Sequence, residues 1–190
     1  MARAKAAPES NLQELIKLKA VELFSEHGYH ATTIRQISKE VGCSLPMLYY
    51  YYNNKEDLFE EIVWNEFINI IHKLNDSLEK GLPVKELYYQ AIRQRKNLSD
   101  YEKAIYKLAL KVYLGFEGEM QVRGKIVAWE QSRLKGNELI LSKLHEDQGD
   151  LTVFTRVFVR VMENMIERII VLDEDISGED IMQELTFLMG

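Results

Sequence analysis

The chain has 190 residues, one cysteine, and 24 Lys and Arg against 30 Asp and Glu, for a formal net charge of -6. With 46% hydrophobic and 28% charged residues, it carries enough apolar material for a packed core and does not read as a disordered polyanion. One cysteine excludes an intrachain disulfide framework, no apolar run approaches the roughly 20 residues of a membrane helix, and the opening MARAKAAPES lacks the apolar stretch of a secretory signal. The expectation is a cytoplasmic protein without a membrane partner. Three prolines and ten glycines leave room for long regular elements, and the fold class expected is all-α, with about nine helices.

In chain order, Ile16, Ala20, Leu23 and Phe24 recur on one helical face and predict a first helix over about Asn11 to His27, closed at Gly28. Thr33-Ile34-Arg35-Gln36 fits a capping box and opens a short second helix with Ile34, Ile37 and Val41 inward, stopped by Gly42. Ser44 caps a third helix, Leu45 to Tyr52, with Pro46 in its first turn, where the missing N–H costs nothing. Asn53 or Asn54 then caps a long helix from Lys55, predicted to reach Lys80.

Residues 33–52 therefore read as helix, tight turn, helix, the arrangement of a DNA-reading unit. Short helix pairs also occur in proteins that never meet DNA. The third helix adds a distinguishing composition, because four of the ten tyrosines stand consecutively at 49–52. Leu48 and Tyr52, four apart, suffice to pack it inward. Tyr49, Tyr50 and Tyr51 would then offer hydroxyls to phosphates and rings to sugars or thymine methyls, a protein contact being the alternative. Charge points weakly the same way: residues 1–55 hold seven basic and five acidic side chains, a basic end on an acidic body.

Phe24, Gly28-Tyr29, Thr32-Thr33-Ile34, Ile37, Gly42, Ser44, Leu48-Tyr49, Tyr52, Lys55 and Leu58, at these mutual spacings, resemble the N-terminal domain of the TetR (tetracycline-repressor-like) family of bacterial transcription regulators. The resemblance covers about a quarter of the chain. It implies that Thr33 meets a DNA phosphate, that Ser44, Leu45, Pro46 and Met47 face base edges, that Tyr49 and Tyr50 bind phosphates, that Tyr51 points toward DNA, and that Lys55 meets a further phosphate at a helix N-terminus. Leu45, Pro46 and Met47 have no side-chain hydrogen bonds to offer, so specificity is expected from Ser44, Tyr49, Tyr51, Arg35 and DNA shape. Cys43 and Pro46 depart from the usual pattern. Cys43 invites a redox role, against the plainer reading of a small buried hydrophobe.

The domain division expected is a flexible arm at 1–10 carrying Arg3 and Lys5, a helix-turn-helix domain at 11–54, and a helical ligand-binding and dimerisation domain at 55–190. In the last, helices are predicted from Val84 to Lys96, from a cap at Ser99 or Asp100 to about Phe116, from Glu119 to His145, from Leu151 to Leu172 after the break at Gly149-Asp150, and from Gly178 to Met189. The apolar arc of the fourth of these is too wide for one neighbour. Together with the family resemblance it implies a two-fold homodimer through the last two helices, using Phe154, Phe158, Val161, Met165, Ile169, Ile181, Leu185 and Leu188. A small-molecule effector pocket is the family's usual sensor. Trp64, Phe67, Tyr88, Tyr113, Phe116, Met120, Trp129, Arg133 and Met165 are its candidate lining, with ordinary core as the alternative for each. Glu130 and Arg133, three apart, would anchor a polar ligand or pair with each other.

His27, His30, His72 and His145 have no convincing ligand spacing with cysteine or carboxylates, no phosphate-cradling glycine loop is present, and no nucleophile–base pair is evident. No metal, cofactor or catalytic residue is expected. The leading expectation is a ligand-responsive dimeric regulator, most simply a repressor released from a palindromic operator in double-stranded DNA by a small molecule. The alternative is a non-catalytic helical module whose helix pair contacts protein.

Overall fold

The computed structural model describes residues 9–143 and 150–190. The described residues form helices joined by turns, without strands, and we number nine helices among them. They are α1 (Glu9–His27), α2 (Ile34–Val41), α3 (Leu45–Tyr51), α4, α5 (Val84–Arg93, extended by a 3-10 turn Gln94–Asn97), α6 (Asp100–Leu114), α7 (Met120–Leu141), α8 (Leu151–Ile170) and α9 (Gly178–Met189). Helix α4 starts as Lys55–Glu60, passes through a π-helical segment Glu61–Glu66, and continues as Phe67–Asp76. It ends four residues before the expected Lys80. Helix α1 begins at Glu9, so Glu9 and Ser10 belong to it rather than to an arm. Arg3, Lys5 and His145 lie outside the described residues.

The chain forms two compact units. The first contains the residues through Phe67 together with Ala104–Arg123; the second contains Ile68–Lys103 and Gly124–Gly190.

Caps set the ends of the short helices in the first unit. Thr33 Oγ1 accepts the N–H of Gln36, whose side chain returns to the N–H of Thr33, completing the capping box. Gly42 closes α2 in the left-handed conformation at φ 73°, and Ser38 Oγ donates to the carbonyl of Cys43 across the turn at 2.6 Å. Ser44 caps α3, and Asn54 rather than Asn53 caps α4. Cys43 is half-buried. The core is aromatic at its centre. Phe59 lies edge-on to Phe24, with ring centroids 5.1 Å apart, and 4.5 Å from Tyr29. Ile16, Ala20, Ile37, Leu48, Leu58, Ile62 and Val63 are buried in the same unit. Thr32 is buried and donates to the carbonyls of Gly28 and Leu23, so the turn after α1 leaves no hydroxyl unsatisfied there.

In the second unit, α9 packs on α5, and α8 on the 3-10 turn. A capping box at Ser99 with Glu102 starts α6, so Ser99, not Asp100, is the cap. Lys96 donates to the carbonyl of Ile176 and pairs with Asp175, fastening the link between α8 and α9. The wide apolar arc of α8 is largely spent inside this unit: Phe158, Val159, Met162, Met165, Ile166, Ile169 and Ile170 are buried, as are Ile181 and Leu185 of α9. The expected dimer surface is corrected accordingly. Phe158, Met165, Ile169, Ile181 and Leu185 are enclosed by their own subunit and cannot meet a second copy. Phe154, Val161 and Leu188 are half-buried. The apolar side chains that do face outward on these two helices are Val153, Val157 and Phe187, the last 89% exposed.

Leu48 is the one fully buried side chain of α3. Leu48→Ala should cost about 2–5 kcal/mol of unfolding free energy through lost burial and the cavity left behind. Urea denaturation of the full chain checks this.

Candidate nucleic-acid interface

Helix geometry explains which face α3 presents. At about 100° per residue, Pro46 and Tyr50 stand opposite the buried Leu48, Tyr49 and Met47 flank them, and Leu45 and Tyr51 lie toward the buried side. The observed burial follows this order. Tyr50 is 72% exposed, Tyr49 and Met47 about half, and Pro46 is exposed, whereas Leu45 and Tyr51 are half-buried. Two phenols rather than three therefore stand clear. Tyr51 instead lays its ring edge-on to Tyr50, with centroids 5.2 Å apart, which supports the more exposed ring.

The other expected DNA contacts divide by how far the fold has already engaged them. Arg35 is exposed on α2, as is Lys39. Thr33 is exposed, with its hydroxyl donating to Gln36 Oε1 at 2.8 Å, and Ser44 Oγ accepts the N–H of Met47 at 3.4 Å. Both hydroxyls serve first as caps. Lys55 is turned inward. Its ammonium donates to the carbonyls of Tyr29 at 2.9 Å and Thr32 at 3.1 Å and sits 4.0 Å from the centre of the Tyr29 ring. Two of its three N–H groups are spent on the turn that precedes α2, so its first role is to hold that turn. The spacing gave no hint of this, because Tyr29 and Thr32 come from a different part of the chain.

The nine effector candidates divide between the two units. Trp64, Phe67, Tyr113, Phe116 and Met120 belong to the first unit. Phe67 is buried against Tyr106, and Trp64 and Tyr113 are half-buried. Phe116 and Met120 are largely exposed, the latter 87%, at the rim of an open cavity of about 360 Å³ lined also by His30, Glu117, Glu119 and Arg123. They do not enclose anything. In the second unit, Met165 is wholly buried core. Tyr88, Trp129 and Arg133 do converge on a polar cluster. Tyr88 donates to Asn137 at 2.6 Å, and Arg133 lies 5.7 Å from the Trp129 ring while binding both Glu130 and Glu163. Arg160 reaches the other oxygen of Glu163 at 3.0 Å. Glu163 was missed from the sequence, although a lone carboxylate on the apolar arc of α8 was the available signal. Among the described residues, no group of His, Cys, Asp and Glu is arranged to hold a metal ion, and no helix is long and apolar enough to cross a membrane.

Residues 18–62, which span α1 to the π-helical segment of α4, match the sequence profile described as "Bacterial regulatory proteins, tetR family". This segment, about a quarter of the chain, is similar to the N-terminal domain of that family. Phe24, Gly28, Thr33, Gly42 and Leu48, which carried the resemblance, are the ring, turn, cap and core residues of this unit. Among curated relatives, the chain is 42% identical over 69 residues to the biofilm operon icaADBC HTH-type negative transcriptional regulator IcaR of Staphylococcus epidermidis, a stretch covering 36% of this chain and 37% of that protein. The sequence likeness thus spans little more than a third of that relative's length. The likeness in fold covers most of the chain. A TetR-like transcriptional regulator from Rhodococcus sp. RHA1 superposes with a TM-score of 0.76 at 19% identity, covering 97% of this chain and 96% of that one. AibR, solved in complex with isovaleryl coenzyme A and operator DNA, does so with a TM-score of 0.69 at 17% identity over 94% and 98%.

The polar cluster of the second unit makes a pH prediction. Burial, then the hydrogen bond with Glu130, pushes Glu163 up to about 7. Against the opposing effect of burial, Arg133 holds Glu130 below the usual carboxylate value. A proton held on Glu163 is favoured in the folded state, so its stabilising contribution is complete below 4.5, the ordinary value, and is lost as pH rises toward 7. Glu130 contributes in the opposite sense, above its ordinary value. Between about pH 5 and about pH 8, Glu163→Gln should therefore show a flatter stability profile than the wild type, whose urea midpoint falls relative to the variant as pH rises.

Proposed function

We propose that the protein is a ligand-responsive, dimeric DNA-binding transcription regulator of the bacterial cytoplasm that acts without a catalytic step, most simply as a repressor. The observation that carries this reading is the outward face of α3. A short helix, capped at Ser44 after a glycine turn, spends only Leu48 on the core and displays Met47, Tyr49 and Tyr50 in the segment that matches the tetR profile. Phenol hydroxyls donate to phosphate oxygens, and ring faces pack on sugars and thymine methyls. Arg35 and Lys39, exposed on α2, supply the positive charge that α3 lacks. The name of the S. epidermidis relative, a negative regulator, supports repression.

Two copies would place their α3 helices in successive major grooves about 34–36 Å apart, which calls for a palindromic operator. Val153 and Val157 on α8 and Phe187 on α9 are the apolar positions a second copy would cover. A small molecule that prefers a dimer with another spacing of α3 would release the DNA by shifting the population. An acyl-coenzyme A is the first class to try, because AibR, similar in fold, is described with isovaleryl coenzyme A and operator DNA.

Selection of bound sequences from random duplex DNA tests the reading directly. A palindrome supports it, and absence of any preferred duplex at low salt favours a protein-binding helix pair instead. On the selected duplex, Arg35→Ala should weaken binding and lower the salt slope by about 1, the loss of one phosphate contact. Tyr49→Phe, which removes a neutral donor, should weaken binding about fivefold with the slope unchanged. Phe187→Glu should shift the chain from dimer toward monomer in sedimentation equilibrium while leaving the helical circular dichroism intact.

A further inference from the structure

The turn between α1 and α2 is held from two directions. From the start of α4, Lys55 binds the carbonyls of Tyr29 and Thr32, and Glu56 accepts the phenol O–H of Tyr29 at 2.9 Å. From the loop between α6 and α7, 88 residues further along the chain, Glu117 Oε2 accepts the backbone N–H of Tyr29 at 3.0 Å. Tyr29 itself is buried, with its ring against Phe59.

The two segments approach each other at glycines. A Cβ on Gly28 would stand 2.7 Å from Glu117 Oε1, and one on Gly118 would stand 2.7 Å from the Phe59 ring, both at positive φ. The loop is therefore seated on the helix-turn-helix unit rather than lying over it.

We infer that Glu117 is a positioning residue for DNA binding: its carboxylate accepts the N–H of Tyr29 and holds the turn from which Thr33 starts α2. This rests on the DNA reading above. The turn sets where the cap of α2 begins, and α2 with its glycine turn sets the direction of α3. Electrostatics makes the inference testable by sign. A carboxylate in the unit that faces DNA repels phosphate, so a Glu117 without a positioning role would tighten DNA binding when removed.

The experiment uses the full chain and the duplex recovered by selection. Glu117→Ala should weaken binding about tenfold, the scale of one charge-assisted hydrogen bond. The salt slope should stay unchanged, since no phosphate contact is lost, and hydrogen exchange at the Tyr29 amide should quicken. Glu117→Gln keeps an acceptor oxygen and should recover most of the affinity, which also separates positioning from a failure of the alanine variant to fold. Glu117→Ala binding as tightly as the wild type, or more tightly, overturns the inference and leaves the DNA reading standing. A wild type that prefers no duplex overturns both.

Discussion

Phe59 sits between Phe24 of α1 and Tyr29 of the turn that follows it, and the position of α2 and α3 depends on that stack. It ties the end of α1 to α4, so the turn at 28–33 has a fixed starting point. Thr33 caps α2 from there, and Gly42 and Ser44 redirect the chain into α3. A seven-residue helix such as α3 has no stability of its own. It exists because Leu48 and Tyr52 are packed inward and because Ser44 satisfies the first turn. Its outer face is then free of packing duty, which is why Tyr49 and Tyr50 can be displayed at all.

Around this stack the polar groups are arranged to hold backbone. Lys55 is the clearest case. A phosphate contact was the natural expectation for a lysine at a helix start, yet its ammonium lies on two carbonyls and a ring. Partial burial explains the preference, because a desolvated ammonium requires acceptors and the carbonyls after α1 require donors. Thr33 and Ser44 are likewise caps first. The positive charge for a polyanion is thus left mainly to Arg35 and Lys39, in a chain whose net charge is -6.

The second unit resolves a different conflict. Arg133 faces two carboxylates, Glu130 from its own helix and Glu163 from α8, with Arg160 at the rim. Burial disfavours the charged form of Glu163, and a proton there serves the hydrogen bond with Glu130 and relieves repulsion between the two carboxylates. The cluster joins α7 to α8 through contacts that include Glu163, pushed up to about 7 by burial.

The sequence by itself determined the all-α class, the order and approximate limits of the helices, the capping box at Thr33, the stops at Gly28 and Gly42, the inward role of Leu48, and the likeness of residues 18–62 to the tetR profile. These are local: helical periodicity, cap chemistry and glycine turns act within a few residues, and the shared spacings from Phe24 to Leu58 involve no long-range pairing. Tertiary structure alone decided the rest. It turned Lys55 onto Tyr29, brought Glu117 to the same residue from 88 positions away, set Glu163 beside Glu130, and drew Phe158, Met165, Ile169, Ile181 and Leu185 into one subunit's core instead of its surface. An apolar stripe shows that a face is covered but carries no information on whether the cover is the same chain or another. A charged side chain likewise does not reveal its partner when that partner lies on a helix far away in sequence, because the pairing is fixed only once both helices are packed.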